Sequence, residues 1–430
     1  MSGAAGPLPA GAADPYGPDS RYAWLRLCVV LGLMTLGASG MYVVSVVLPA
    51  IQADFGIDRA AASMPYTATM IGFGAGGLLM GRLADRYGVA VPSVVGAIGL
   101  GLGFVLAGFA PGLVLFGFAQ GVLIGALGTS AGFSPLLADT TLWFDRRRGI
   151  AVAICAGGNY LGGAIWPPVA QHFIETVGWR TTYVGIGLFC TAAMLPLALM
   201  LRRRPPALGV GAAAPSGRPV AAAGVDYARP LGLSPDALQW LLVVAGVACC
   251  VAMAMPQVHI VAYCVDLGYG AARGAEMLAL MLGSGIVSRL ISGLVADRIG
   301  GLRTLLLGSV LQTIALAMFL PFDGMVSLYL VSAMFGLFQG GIVPSYALVV
   351  REHFPPQQAG RRVSVVITAT LVGMALGGWM SGQIFDLTGS YRAAFVNGIG
   401  WNLLNVAIAT FLLRRAGPLA PRVNAAAAAA

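Results

Sequence analysis

Apolar positions in this chain run in blocks of about 20 residues, with hardly a charge inside them and arginine, glycine and proline gathered between them. As helix rising 1.5 Å per residue, such a block crosses a hydrocarbon core of roughly 30 Å. The pattern predicts twelve spans, at about 26–50, 62–82, 89–109, 113–141, 149–173, 181–201, 238–264, 275–296, 302–320, 326–349, 362–385 and 392–414. Barrel strands alternate in polarity and are about ten residues long, so a β-barrel is excluded and the predicted fold is an all-α membrane protein. Residues 1–23 are Gly, Pro and Ala-rich and lack the basic start and apolar stretch of a cleaved signal; they are predicted to form a disordered tail. Residues 24–201 and 237–415 are predicted to form two six-helix bundles, joined by a linker at 202–236 and followed by a tail at 416–430 that ends in an alanine run.

Composition agrees with the pattern: of 430 residues, 58% are hydrophobic and only 10% charged. The formal charge of +9 raises the question of a polyanion partner, which the placement of the cations answers. With the N-terminus in the cytoplasm, Arg21, Arg26, Arg82, Arg86, Arg146 to Arg148, Arg202 to Arg204, Arg218, Arg229, Arg298, Arg303, Arg351, Arg361, Arg362, Arg414, Arg415 and Arg422 fall on the inner side, and only Arg59, Arg180, Arg273 and Arg392 on the outer. This is the positive-inside bias, so the charge reports topology in an inner (plasma) membrane with both termini cytoplasmic, not nucleic-acid binding. The six cysteines lack metal-ligand spacing and no lysine is present. A Walker-type phosphate loop and Schiff-base chemistry are thereby excluded, and no metal, cofactor or enzymatic constellation is expected.

The chain repeats itself at an offset of 212 residues. GRLADRYG at 81–88 returns as GLVADRIG at 293–300; Asp54-Phe55-Gly56 returns as Asp266-Leu267-Gly268; Gly178-Trp179-Arg180 is echoed by Tyr391-Arg392. Repeats related by an axis along the membrane normal enclose a substrate site between them near the midplane. With its Gly-x-x-x-Asp-Arg-x-Gly loop in two copies (Gly81, Asp85, Arg86, Gly88 and Gly293, Asp297, Arg298, Gly300), the chain resembles the major facilitator superfamily from Trp24 to Arg415. The resemblance implies that these loops latch the cytoplasmic face, with Asp145 joining through Arg86. Small-residue pairs at Gly158 and Gly162, Gly373 and Gly377, and Gly378 and Gly382 suit either helices that slide or plain tight packing.

Ionisable residues inside spans are costly and therefore candidates for function. Arg289 stands eight residues before Asp297, roughly 12 Å of helix, deep in the predicted core. His259 follows Pro256 in the seventh span; Asp139 and Glu276 fall near span ends, where reaching water is easy. Arg289 cannot escape its desolvation by deprotonating, position 285 one turn earlier is glycine, and no Asp or Glu occupies the middle of another span. Its counter-ion is either a small organic anion, which a guanidinium fork matches bidentately, or backbone carbonyls and water.

Arg-x-x-x-Gly-Leu-Val-Ala at 289–296 and Trp-Phe-Asp-Arg-Arg-Arg-Gly-Ile-Ala at 143–151 resemble the monocarboxylate transporters, including bacterial lactate and oxalate–formate type relatives. That resemblance implies that Arg289 grips a substrate carboxylate and that His259 acts as donor or proton carrier. Asn159, Tyr42, Phe133 and Tyr346 would line the pocket, with Gln339 a further candidate. The chain departs from these relatives in lacking a lysine and in placing Gly285 where animal members carry Asp. The implied function is secondary active transport of a small monocarboxylate (a 2-hydroxy, 2-oxo or short-chain acid) by alternating access in the lipid bilayer, as a monomer, with proton symport one mode of coupling. Two rivals are a proton-coupled exporter of hydrophobic compounds, which would want a mid-span acid and an Arg where Gln120 stands, and a non-transporting sensor.

Overall fold

The computed structural model describes residues 17–203, 227 and 229–416. Within them run α1 (Arg21–Gly37), α2 (Ser39–Phe55), α3 (Arg59–Tyr87), α4 (Ala90–Gly108), α5 (Leu113–Phe118), α6 (Ser134–Leu142), α7 (Arg148–Val177), α8 (Trp179–Met200), α9 (Pro235–Asp266), α10 (Ala271–Ile299), α11 (Gly301–Met318), α12 (Met325–Gln339), α13 (Ile342–His353), α14 (Pro356–Thr388) and α15 (Tyr391–Ala416). A π-helical stretch, Ala119–Thr129, joins α5 towards α6. Residues 1–16 of the predicted first tail, 417–430 of the second and most of the linker at 202–236 lie outside the described residues, whereas residues 21–23, predicted as disordered tail, form the first turn of α1, capped by the Ser20 side chain.

Twelve crossings result, because α1 with α2, α5 with α6, and α12 with α13 each form one crossing. Eleven are long and apolar enough to span a membrane. The other, α3, is 29 residues long but carries Gly72, Gly74, Gly76 and Gly77 in place of large aliphatics, and Arg82, Asp85 and Arg86 near its end. Large apolar side chains such as Leu78, Leu102, Val114 and Leu294 are exposed around the molecule, the surface that a lipid environment covers. The fold is two pseudo-symmetric six-crossing bundles, α1–α8 and α9–α15, which meet along α3 with α14, α7 with α10, and α2 with α9.

The repeated loops share one backbone solution. Gly88 and Gly300 both adopt φ +85°, ending α3 and α10 with a conformation that favours glycine over any residue with a Cβ. The small-residue pairs divide by task. Gly158 and Gly162 bring α7 onto α1, and Gly373 and Gly377 bring α14 onto α9, within one bundle each. Gly378 and Gly382 instead face Tyr66 and the backbone of Arg59 and Ala60 in the other bundle. Asp139 corrects a sequence expectation: far from reaching water, it is 7% exposed and paired with Arg26 at 2.9 Å.

Candidate functional site

One end of the interface is sealed. Asp386, near the end of α14, turns its carboxylate onto the N-terminus of α3 and accepts from the backbone N–H of Arg59 at 2.9 Å and of Ala60 at 2.7 Å. A negative charge is favoured there by the helix dipole and the unpaired N–H groups. The Arg59 guanidinium donates to both oxygens of Asp266 at 3.0 and 3.2 Å and lies 4.7 Å over the Phe385 ring. Arg59 is therefore buried between both bundles, although its position in a short loop gave no sign of it. Further in, Thr67 donates its hydroxyl to the Ala375 carbonyl at 2.9 Å.

Towards the arginine-rich end the seam loosens. A Cβ at Gly74 would meet only the Leu371 side chain, at 3.4 Å, and one at Gly81 or Gly293 would meet nothing within 4 Å. Asp85, Arg86, Asp297 and Arg298 are exposed; Arg86 lies over its neighbour Tyr87 at 5.3 Å. Asp145 is exposed too, its backbone N–H donating to Asp19 at 3.2 Å. A cavity of about 430 Å³ opens between α9 and α14 at this end, lined by residues that include Asp236, Gln358, Arg361 and Arg362.

Arg289 sits where the sealed seam gives way to the open one. Along α7 and α10 the close contacts run from Gly163 with Leu282 through Ala164 with Gly283 to Tyr160 with Gly285. One turn on, Arg289 reaches across with Nη1 towards the Ala156 carbonyl at 3.5 Å, a marginal hydrogen bond. Its Nε is buried without a partner, and its Cζ lies 4.1 Å from the centre of the Tyr160 ring. At 1.5 Å per residue it stands roughly 15 Å from the Ile299 end of α10. Tyr42 donates its hydroxyl to Asn159 Oδ1 at 2.9 Å, and its ring edge packs where a Cβ at Gly163 would lie. Three of the sequence candidates are thereby gathered around one stretch of α7: Asn159 on it, Arg289 reaching it from α10 and Tyr42 from α2.

The others lie elsewhere. His259 is fully buried, with Nε2 at 2.8 Å from the Gly378 carbonyl and Nδ1 at 3.1 Å from the Tyr391 hydroxyl. Since the carbonyl can only accept, Nε2 donates and Nδ1 accepts from Tyr391, which occupies both nitrogens of a neutral ring. Tyr346 donates to Asn405 at 2.8 Å within a network with Asn402, Ser309 and Thr313, inside the second bundle. Phe133 is half-buried at the break before α6 and packs edge-on against Phe73. Gln339 accepts from Gln257 at 3.1 Å, and its own Nε2 is buried without a partner. Sequence reasoning missed Arg59, Asp266 and Asp386 as a seal and Tyr160 as the neighbour of Arg289. Only the Asp266 repeat hinted at the first group, and nothing distinguished Tyr160 from other aromatics in spans.

Comparison with known proteins adds a family and a fold. The profile of the Major Facilitator Superfamily matches residues 29–331 and 277–429. Monocarboxylate transporter 11 of Mus musculus is 26% identical over 407 residues, 91% of this chain and 86% of that one. The MFS-type transporter pynF of Aspergillus niger is 24% identical over 345 residues, 79% and 75% of the two chains. Among solved structures, a bacterial homologue of the human lysosomal transporter Spinster, described as inward-facing and unoccupied, aligns with a TM-score of 0.67 at 16% identity, covering 92% of this chain and 96% of that one.

Proposed function

The chain belongs to the Major Facilitator Superfamily and is a multi-pass membrane transporter, not an enzyme; we propose that it carries a small monocarboxylate by alternating access, with Arg289 as the anion clamp. One observation carries this reading: a half-buried guanidinium on the seam between the bundles, with an unpartnered Nε, a marginal bond from Nη1 and no carboxylate paired to it among the described residues. A cation in such a place calls for an anion, and the flat fork matches a carboxylate. Asn159 of α7 and Tyr42 of α2, joined by their hydrogen bond, meet the rest of a small acid, and Phe133 forms an apolar wall. Tyr346, inside the second bundle, serves the site by holding its helices in place.

In this reading the arginine-rich end faces the cytoplasm of a plasma membrane, by the positive-inside bias. The state described is then open inward and sealed outward by Arg59, Asp266 and Asp386. Binding of the anion neutralises Arg289, draws α7 and α10 together below it, and closes the inner face as the outer seal parts. His259 helps to hold the sealed end through Gly378, which packs on Tyr66 of the opposite bundle.

The test is thermal stability of the purified protein against short carboxylates (formate, acetate, lactate, pyruvate), followed by uptake of the strongest binder into proteoliposomes. A ligand selective for the folded state raises apparent stability, by about 2.7 kcal/mol at a hundred times its Kd. Arg289→Ala is expected to abolish both the shift and the uptake. Full transport by that variant would overturn the assignment of Arg289 as clamp, and a shift with lipophilic cations and none with any carboxylate would replace this reading with that of an exporter.

A further inference from the structure

A helix that carries a buried cation can neutralise it from within by placing an acid one turn away on the same face. In α10 that position is Gly285, and a Cβ there would overlap the Tyr160 ring of the opposite bundle. Tyr160 fills the place from across the seam: it is 7% exposed and presents its face to the Arg289 guanidinium. An aromatic face attracts the cation without cancelling its charge. Among the described residues no carboxylate is paired with Arg289, and the acids within reach of the seam are engaged elsewhere, Asp139 with Arg26 and Asp266 with Arg59. His259 is no substitute proton site in this state, because both its nitrogens are occupied by Gly378 and Tyr391.

From the tyrosine in the slot of a counter-acid, we infer that the protein is an obligatory anion exchanger, in which Tyr160 positions Arg289 and only a bound monoanion balances the site. The inference rests on the carboxylate reading above. Arg289 is half-buried in the state described, and closure of the two bundles around the site removes what contact with water it keeps. Empty, the closed site holds an uncompensated charge, and burying one is costly. Loaded with a monoanion, it is neutral. The loaded carrier therefore crosses between its two states faster than the empty one, and net uptake waits on a counter-substrate. A protein with an acid beside the arginine would do the reverse, being neutral when empty and needing a proton when loaded.

The experiment uses the full chain in proteoliposomes in chloride-free HEPES, with labelled pyruvate as probe and binding followed in parallel by thermal shift. Vesicles preloaded with unlabelled pyruvate are expected to take up label at least about tenfold faster than empty vesicles, since an unpaired buried charge costs more than one decade in rate. An imposed pH gradient is expected to leave empty vesicles inactive. Tyr160→Phe keeps the ring and should keep both affinity and exchange, whereas Tyr160→Ala should raise KM by on the order of tenfold while the preload requirement persists, since the charge is still unpaired. In the double variant Tyr160→Ala with Gly285→Asp, the preload advantage should fall towards one and a pH gradient should drive uptake. Equal uptake by empty and preloaded vesicles, or uptake driven by a pH gradient in the parent protein, overturns the inference while leaving the carboxylate site intact. Absence of any pyruvate binding or uptake removes the carboxylate reading for this probe, and the inference with it.

Discussion

At the scale of single residues, two arginines in spans have opposite fates. Arg26 donates from Nε to Asp139 at 2.9 Å and from Nη1 and Nη2 to the Leu201 carbonyl at 3.3 and 3.4 Å, and it lies over Trp143. Every part of that charge is spent on holding α1, α6 and the end of α8 together. Arg289 has one marginal bond and an aromatic face. The isolation of Arg289 was legible in the sequence, because a charge in an apolar run with no acid nearby announces itself. The Arg26–Asp139 pair was not, since its members are 113 positions apart and each sits near a span end, where water is the simpler partner. Removing one partner of a buried pair strands the other, at a cost of about 3–5 kcal/mol, whereas replacing both by apolar residues is often neutral. Arg26→Met should therefore lower the thermal midpoint of the detergent-solubilised protein sharply. Adding Asp139→Leu should recover most of the loss; a double variant no more stable than the single one would mean that the pair's hydrogen bonds to Leu201 matter more than its charge.

At the scale of elements, α3 explains why its existence could be read from the sequence but its environment could not. Its spacing predicts a span at 62–82, and the helix runs Arg59–Tyr87. Yet it is enclosed by protein along much of its length. Gly72 and Gly76 abut the backbone of Gly121 and Ala126 in the π-helical stretch, and Gly125 returns the contact against Thr69. Small residues let backbones meet where no lipid intervenes, which leaves α3 less apolar than its neighbours. The π-helix itself has no composition that marks it, because its wide turns answer to the packing of α3 and not to local propensity. Gln120, buried within it, is satisfied by Tyr183 and Thr69. On its other side α3 meets α14 at Gly382 with no room for a Cβ. Gly382→Leu should overpack this contact by about 1–3 kcal/mol and shift the population away from the sealed state by roughly 5- to 150-fold. Spin labels at Met64→Cys and Leu387→Cys, one on each helix, should then report longer distances than in the parent; unchanged distances would show that the seal tolerates the side chain.

Across the whole molecule, the two bundles obey one plan and break it at a single charge. In the first bundle Asp54 pairs with Arg180 at 2.8 Å, and Arg180 also donates to the Gly108 carbonyl at 3.2 Å. Shifted by 212 positions these become Asp266, Arg392 and Leu320, and Arg392 indeed donates to the Leu320 carbonyl at 3.2 Å. Asp266, however, has left that arrangement for Arg59 of the opposite bundle. Arg59 is not fully satisfied there, for its Nε and Nη1 are buried without partners. By the repeat, Arg392 is the residue of its own bundle that corresponds to the Arg180 partner of Asp54, so Asp266 is expected to turn to it once α3 moves away. Parting the seal would then exchange one ion pair for another. Arg59→Gln should raise labelling of Thr67→Cys by a membrane-impermeant maleimide applied from the sealed side, because Asp266 is released. Arg392→Gln should lower that labelling below the parent level, because the open state loses its pair while the sealed one keeps its own. Equal labelling of the Arg392→Gln variant and the parent would mean that Asp266 does not change partners, and that the broken symmetry is a feature of the seal alone.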